Sequence, residues 1–366
     1  MKLAVLISFS GEGGVERMVL NLIREFTIRE KDIDLLVIRA SSQHFYDIPP
    51  SVNIIKLRAK HTLTAIPEIC RYLRRVRPDA LLVAKDRAAR AALIARLLAQ
   101  VKTRIVVRLG TNLSAALKHK SKFNRWLRVT PMRRIYVMAD KIIAVSEGVK
   151  KDTLSITGLQ SSRVVTVRNP VVTPDFKSTD YSIAPHAWFK QKTTIPVVVG
   201  VGRLSKQKGF DVLIKAFAML NRRIDSRLII LGEGKDRAKL ESLIAALKLQ
   251  DKALLPGFKR DVLKWVAHAN VFVLSSRWEG SPNSLTEALA LGIPSVATDC
   301  PSGPSEILAG GKYGPLIKLD DETAMSEAIF KVIREPLPAT ILKDAVREYH
   351  SDSSAERYLQ ILRGAI

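Results

Sequence analysis

Two glutamates in the second half of the chain are eight positions apart, in a segment whose residue types suit the binding of a polar ligand. Glu279 lies in a loop rich in glycine, serine and proline, and Glu287 falls one turn into a helix predicted to begin at Pro282–Asn283. The first N–H groups of a helix lack intrahelical partners and attract anions. Three residues would direct such groups at an anion: Asn283, Ser284 and Leu285. Beside that anion Glu287 would accept hydrogen bonds from sugar hydroxyls, unless it only stabilises the helix dipole.

A pair of carboxylates also forms the catalytic residues of a glycoside hydrolase, in which the distance between the two carboxyl groups decides the mechanism. Here Glu279 is in a loop and Glu287 is in a helix, so the sequence does not fix their separation. Paired-carboxylate hydrolysis is therefore the weaker interpretation.

Two cations flank a tight turn at the end of a predicted strand, within the segment Gly202–Phe210. Arg203 presents a planar fork of donors and Lys208 presents a point charge, so the two together are suited to grip a diphosphate. A solvated basic loop is the alternative. The position favours the functional interpretation, because α/β sheets bind their ligands at the carboxyl ends of the strands.

A glycine-rich turn, Gly11–Arg17, follows the first predicted strand and opens the first helix. Gly13 and Gly14 would let a ligand approach the backbone and the helix N-terminus closely. The spacing is not that of a dinucleotide-binding fingerprint, and Arg39 rather than an acidic residue follows the second strand. Taken alone, the turn fits a plain strand–helix connection as well as it fits an anion site.

Together these three segments resemble the large family of retaining glycosyltransferases known as family four, or glycosyl transferases group 1. The resemblance is carried by the Gly-Arg-Leu…Lys-Gly loop, the Glu-x7-Glu block with its Glu-Ala-Leu-Ala-x-Gly-x-Pro continuation, and the opening Gly-Gly-Val-Glu-Arg. The flanking segments 275–280 and 298–308 are similar to bacterial members that build surface polysaccharides. The resemblance covers nearly the whole chain and is most specific in residues 196–310.

The resemblance implies a binding site for a nucleotide-diphospho sugar, with a role for each segment. Arg203 and Lys208 would hold the diphosphate, and Glu279 would contact hydroxyls of the donor sugar. Glu287 would hold the ribose, and Phe258 with its neighbours would frame the base. Two glycines of the first domain would approach the donor phosphate: Gly13 and Gly14.

The implied reaction is a retaining, front-face transfer that uses no metal and no other cofactor. The leaving diphosphate itself takes the proton from the acceptor hydroxyl, so the protein supplies electrostatic stabilisation rather than a nucleophile. The donor is expected to be a UDP-sugar, because uridine is the commonest donor base in the family, and the acceptor a glycan or a lipid-linked glycan. A phosphorylase or sugar-phosphate synthase on the same architecture is the nearest alternative enzyme.

One departure from the family pattern follows the fifth predicted strand. Family members usually carry a histidine there that contacts the donor sugar, whereas the equivalent position here is Gly110 and the nearest histidine is His119. The sugar contact must therefore differ. The candidates for contacts with the sugar or the acceptor are three polar residues of the first half: Asp86, Thr111 and Asn112.

The elements that must position these residues are short apolar runs alternating with helix-period segments, the pattern of doubly wound α/β domains. Strands are predicted in the first half at Leu3–Ser8, Leu35–Ile38, Asn53–Lys56, Ala80–Val83, Ile105–Val107, Lys141–Val145 and Val164–Val167. A second alternation starts with the strand Val197–Val201 and includes the helices Phe210–Asn221 and Asn283–Ala290.

We therefore predict two Rossmann-like domains facing a cleft, which is the GT-B architecture of the resembling family. Residues 1–172 would bind the acceptor and residues 195–350 the nucleotide sugar. The segment 173–194 would connect them, and the helix at 351–366 would pack back on the first domain.

Positive charge is concentrated in the first half of the chain. The net charge of the whole chain is +24, and thirteen Lys/Arg but no acidic residue lie between Asp86 and Asp140. In a helix from about Lys122, the side chains of Phe123, Trp126 and Leu127 would share one face beside basic residues. Such a helix lies in a membrane interface, so an anionic membrane surface is a predicted partner. The alternative is that Trp126 and Leu127 pack into the first domain.

Other basic residues would contribute to the same surface, and they are Arg71, Arg74, Arg75, Arg77, Lys118, Lys120, Lys122, Arg125, Arg128, Arg133 and Arg134. A nucleic-acid-binding protein is the alternative from another class, but no zinc-finger, basic-zipper or RNA-recognition signature is present, and nucleic acid is not an expected partner. Cys70 and Cys300 cannot form a disulfide framework. No apolar run approaches the roughly 20 residues of a membrane span. We expect a cytoplasmic protein, peripheral at the inner face of the cell membrane.

Overall fold

The computed structural model describes residues 1–9, 14–30, 32–40, 43–118, 120–190 and 195–365. The chain forms two compact units. The first unit consists of Met1–Thr173 together with Tyr349–Ile366, and the second consists of Pro174–Glu348.

The first unit is built on a seven-stranded parallel sheet with the order β3-β2-β1-β4-β5-β6-β7. Its strands are β1 (Lys2–Phe9), β2 (Asp32–Ala40), β3 (Asn53–Lys56), β4 (Ala80–Ala84), β5 (Arg104–Leu109), β6 (Lys141–Ala144) and β7 (Val164–Thr166). Its helices up to the second unit are α1 (Gly14–Arg29), α2 (Ile66–Val76), α3 (Asp86–Ala99), α4 (Leu113–Leu117), α5 (Lys122–Ile135) and α6 (Glu147–Thr157).

The strands of this sheet are almost continuous runs of Val, Ile, Leu and Ala because helices cover both faces. Successive residues of β1 point to opposite sides, so Leu6 enters the core on one face and Ile7 the core on the other. The strand order reverses between β1 and β4, and open α/β sheets bind ligands at such a point.

The second unit has a six-stranded parallel sheet with the order β10-β9-β8-β11-β12-β13. Its strands are β8 (Val197–Val201), β9 (Arg227–Leu231), β10 (Ala253–Leu254), β11 (Val271–Leu274), β12 (Ser295–Thr298) and β13 (Leu316–Ile317). Its helices are α7 (Asp175–Ser178), α8 (Ala187–Lys190), α9 (Phe210–Asn221), α10 (Arg237–Ala246), α11 (Val262–Ala267), α12 (Asn283–Ala290), α13 (Pro304–Ile307), α14 (Glu322–Arg334) and α15 (Ala339–Asp344). Here the order reverses between β8 and β11.

Helix α16 (Ser351–Arg363) follows the second unit in sequence but packs on the first unit. Tyr358, Leu359 and Leu362 are buried in the same core as residues of β1 and α1. At its beginning the Ser351 hydroxyl donates a hydrogen bond of 2.6 Å to Glu25 of α1. This helix therefore completes the apolar core of the first unit.

The connection between the units is shorter than the predicted segment 173–194, because residues 174–190 belong to the second unit. The His186 ring stacks on Trp265 with a centroid distance of 6.0 Å, and Phe189 meets the same indole edge-on at 6.1 Å. These aromatic contacts with α11 attach the segment to the second unit. Residues 191–194 of the predicted connection lie outside the described residues.

Among the helices in the described ranges, none combines the length and the apolar composition that crossing a bilayer requires.

Candidate active site

The carboxyl ends of β8 and β11 bring together the two loops in which sequence analysis predicted chemistry. The strands are neighbours, with Val198 opposite Val271 and Val199 opposite Phe272. The loop after β8 contains Arg203 and Lys208, and the loop after β11 contains Glu279. Both loops therefore lie where the strand order of the second sheet reverses, which is the expected place for a ligand.

Lys208 and Glu279 form an ion pair at the centre of this site. The Lys208 Nζ lies 2.6 Å from the Glu279 Oε1, and the Ser276 hydroxyl donates a hydrogen bond of 2.7 Å to the same oxygen. The exposed fraction of the side chain is 18% for Lys208 and 9% for Glu279. The Glu279 Oε2 accepts no hydrogen bond from any residue that the structure describes. One carboxylate oxygen is thus held in place and the other is left to accept from a ligand.

Gly209 allows the two loops to approach this closely. Its φ is +62°, and a Cβ there would lie 2.1 Å from the carbonyl oxygen of Ser275, so no other residue fits without displacement of the backbone. The Ser275 hydroxyl donates a hydrogen bond of 2.8 Å to the carbonyl oxygen of Lys208. The Lys208 stem passes over Gly202, where a Cβ would lie 2.9 Å from the Lys208 Cε.

Arg203 differs from Lys208 in its surroundings. Its side chain is exposed, and within the described ranges it makes no hydrogen bond or ion pair. The two cations of the loop are therefore not equivalent, because Lys208 is paired with Glu279 and Arg203 is available to a ligand.

The N-terminus of α12 lies directly after the Glu279 loop, and the helix begins at Asn283 as predicted. Asn283 and Ser284 occupy its first two positions. The N–H of Leu285, the third position, donates to the carbonyl oxygen of Pro282 at 3.2 Å. This bond engages the third amide within the first turn, and its contact with an anion stays a prediction. Glu287 lies on the same helix and is 4% exposed.

A buried thiol lies next to Glu279. Cys300, in the loop after β12, is 3% exposed. Burial raises the pKa of this thiol strongly, and the charge of Glu279 raises it further. The thiol is therefore protonated at neutral pH. It lines the site as a small uncharged side chain and does not act as a nucleophile.

Phe258 lies at the same edge of the second sheet, in the loop after β10, and is 38% exposed. The carbonyl oxygen of Gly257 accepts a hydrogen bond of 2.9 Å from Gly232, which follows β9. The loop that carries Phe258 is thus bonded to the end of the neighbouring strand. The Phe258 ring is accessible to a planar ligand.

The candidates of the first unit are largely engaged in structural contacts. Asp86 accepts hydrogen bonds of 2.8 Å from the Tyr136 hydroxyl and from Arg90. Asn112 caps α4, where its Oδ1 accepts from the N–H of Ala115 at 2.9 Å, and Thr111 beside it is exposed. Gly14 is the first residue of α1, whereas Gly13 and His119 lie outside the described residues.

Arg108, two residues before the departure from the family pattern, fills the space beside Gly110. A Cβ at Gly110 would lie 2.2 Å from the Arg108 Nη1, so the guanidinium occupies that space. Arg108 is 4% exposed and donates a hydrogen bond of 2.8 Å to the Asn169 Oδ1. Arg108 could not be identified from the sequence, because a charged residue within an apolar strand gives no sign of where its side chain lies.

Ser276, which shares the Glu279 Oε1 with Lys208, was not among the predicted site residues. The backbone of Ser276 is anchored as well, since its carbonyl oxygen accepts a hydrogen bond from the Thr298 hydroxyl of β12. The pair of serines that ends β11 was a usable signal, because small polar residues at the carboxyl end of a buried strand often face a ligand.

Comparisons with known proteins identify the family of the chain. Residues 12–174 match the family model described as Glycosyltransferase Family 4, and residues 186–349 match the model described as Glycosyl transferases group 1. A curated relative from Campylobacter jejuni is 29% identical over 347 residues, covering 91% of this chain and 90% of its own length. Its name is N-acetylgalactosamine-N,N'-diacetylbacillosaminyl-diphospho-undecaprenol 4-alpha-N-acetylgalactosaminyltransferase.

A second relative, the amylovoran biosynthesis glycosyltransferase AmsD of Erwinia amylovora, is 25% identical and covers 85% of both chains. Among solved structures, Anabaena HepE in complex with UDP-glucose superimposes with a TM-score of 0.80 at 18% identity, covering 100% of both chains. At that identity the similarity establishes the fold and does not extend to the ligand.

Proposed function

Because the chain belongs to glycosyltransferase family four, the glycosyl transferases group 1, and has two Rossmann-like units of GT-B type, we propose that it is a retaining, metal-independent glycosyltransferase of bacterial surface-polysaccharide synthesis. Its donor is a nucleotide-diphospho sugar, with UDP as the nucleotide, and its acceptor is a glycan or lipid-linked glycan. The observation that carries the proposal is the Lys208–Glu279 pair at the reversal point of the second sheet. The names of the relatives support the choice of pathway and of a lipid-diphosphate acceptor.

The chemistry of the site follows from how its charges are distributed. The exposed Arg203 meets the donor diphosphate first, and Lys208 lies between the diphosphate and Glu279. As charge develops on the leaving diphosphate, these preorganised cations stabilise it more strongly than they stabilise the bound donor. The Glu279 Oε2 accepts hydrogen bonds from the donor sugar and fixes the anomeric carbon above the leaving oxygen.

A screen of nucleotide sugars tests the proposed function. With a UDP-sugar present at about 100 times its Kd, the free energy of unfolding is expected to rise by about 2.7 kcal/mol, visible as a higher Tm. Slow hydrolysis of the same donor should accompany the shift. If no nucleotide sugar of any base changes the Tm or is hydrolysed, the proposed function is wrong. If only GDP- or ADP-sugars raise the Tm or are hydrolysed, the proposed nucleotide is wrong and the rest of the proposed function stands.

The structure also bears on attachment to membranes through the first unit. Phe123, Trp126 and Leu127 of α5 are 66%, 58% and 47% exposed, so the alternative that Trp126 and Leu127 pack into the first domain is wrong. The rings of Phe123 and Trp126 stack with a centroid distance of 6.2 Å. We call these three residues the apolar patch of α5. An exposed apolar patch beside basic residues favours insertion at a membrane interface.

Helix α2 adds a second basic surface to the same unit. Arg71 and Arg75 are exposed and make no hydrogen bond or ion pair within the described part of the chain. They line a surface groove of about 570 Å³, and the other lining residues are Ile66, Pro67, Cys70, Arg74 and Leu98. Cations beside apolar side chains suit an anionic lipid headgroup, so we propose peripheral attachment at the inner face of the cell membrane.

We expect the protein to bind vesicles that contain phosphatidylglycerol and to bind phosphatidylcholine vesicles poorly. Each Lys or Arg near an anionic surface contributes about 1 kcal/mol, and salt screens this attraction, so binding should fall as ionic strength rises. Trp126→Ser should weaken binding through the lost apolar contact. Ile183→Ser, which removes an apolar residue exposed on the second unit, should leave binding unchanged. Equal indifference to both vesicle types at low salt would refute the membrane proposal.

A further inference from the structure

We infer that Arg277 is a positioning residue for the transfer reaction, because it fastens the loop of Lys208 to the loop of Glu279. This inference rests on the proposed function, since it concerns the same site. Arg277 lies two residues before Glu279, and its side chain turns away from the Lys208–Glu279 pair toward the backbone of the neighbouring loop. It therefore acts on the ligand through other residues.

The Arg277 guanidinium makes four hydrogen bonds to three partners. Its Nη1 and Nη2 donate to the two carboxylate oxygens of Asp211 at 3.0 and 2.8 Å, in the bidentate geometry that gives arginine its strongest pairs. The Nη1 also donates to the carbonyl oxygen of Lys206 at 2.9 Å, and the Nε donates to Asp320 at 2.7 Å. One side chain thus joins α9, the turn before Lys208 and the loop after β13.

The backbone adds a second set of bonds at the same place. The N–H of Arg277 donates to the carbonyl oxygen of Gln207 at 2.7 Å, and the Gln207 side-chain amide donates to the carbonyl oxygen of Trp278 at 2.9 Å. Residues 206–207 are therefore bonded to residues 277–278. Lys208 directly follows residues 206–207, and Glu279 directly follows residues 277–278. The junction therefore fixes the separation of Lys208 and Glu279.

The charges of the junction are maintained over a wide pH range. Burial opposes ionisation of Asp211, but the hydrogen bonds and charge of Arg277 outweigh it and hold the pKa of the carboxyl below its usual value. In return the hydrogen bonds with Asp211 raise the pKa of the guanidinium. The side chain of Arg277 is only 16% exposed, so solvent screens this network less than it screens a surface pair.

Arg277→Met should reduce kcat/KM for the sugar donor by about 10–100-fold, because a shift of about 1 Å in a catalytic group can cost as much as 10²-fold. The Kd for UDP should rise as well, because Lys208 is displaced from the diphosphate. Arg277→Lys keeps a charge but cannot form the fork. Its kcat/KM and its Kd for UDP should therefore lie between those of Arg277→Met and those of the wild type. The matched control is Arg223→Met, which removes an exposed arginine–glutamate pair of the same unit and should leave both constants unchanged.

A double-mutant cycle distinguishes positioning from a merely structural role, with UDP binding as the readout. If Arg277 acts through Lys208, the change Arg277→Met should alter the Kd for UDP by less than about twofold when Lys208 is already alanine. Equal effects in both backgrounds would overturn the inference. Should Arg277→Met fail to fold, Asp211→Asn removes the same fork and takes its place in the cycle. Wild-type protein that binds neither UDP nor any other nucleoside diphosphate would instead overturn the proposed function.

Discussion

Glu279→Ala should reduce sugar transfer by at least about 10³-fold, the upper range for loss of one preorganised electrostatic group. Two effects combine in this variant. The donor sugar loses the Oε2 acceptor, and Lys208 loses the carboxylate that holds its ammonium 2.6 Å away. Initial rates with saturating donor and acceptor measure the loss. Near-UV circular dichroism should match that of the wild type, because the site lies at the sheet edge and outside the apolar core.

Glu279→Gln separates these two effects. The amide retains an oxygen that can accept from the sugar or from Ser276, but it loses the charge that pairs with Lys208. The activity of Glu279→Gln should therefore lie between that of Glu279→Ala and that of the wild type. Glu241→Ala is the matched control, because Glu241 pairs with Arg237 on the exposed face of α10. Glu279→Ala with near-normal transfer would remove Glu279 from the active site.

Lys208→Ala and Arg203→Ala should each lower turnover by about 10²–10³-fold, since each removes one cation from the leaving diphosphate. The two variants should differ in stability. Without Lys208, the carboxylate of Glu279 is left buried and unpaired, so the Tm should fall. Without Arg203 the Tm should stay unchanged, because the guanidinium is exposed and unpaired within the described ranges.

Thermal melts beside initial rates test this difference. Unchanged turnover in both variants would show that the loop after β8 does not hold the diphosphate. Equal losses of Tm would show that Arg203 has a structural role that its exposed position does not suggest.

Much of the fold could be predicted because buried parallel strands have a composition of their own. The bounds of β8, α9 and α12 are those predicted from the sequence. Each of these elements is bounded by glycine, proline or a polar turn, so local chemistry alone marks where it begins and ends.

The geometry of the site could be predicted only in part, because its decisive contacts join residues distant in sequence. Lys208 and Glu279 are 71 positions apart, and no local pattern shows that they form a pair rather than bind the ligand separately. The same limit applies to the segment after Thr173, which lacks periodicity yet attaches to the second unit through His186 and Phe189. Irregular composition indicates a loop but does not indicate what the loop packs against.

The position of α16 has a consequence for how the protein is made. The chain leaves the first unit after Thr173 and re-enters it at Tyr349, so the second unit is an insertion within the first. During synthesis all residues of the second unit emerge before Tyr358 and Leu362, which close the core beside α1. The first unit to be translated is thus the last to be completed, and until then a nascent chain exposes apolar surface that a chaperone would recognise.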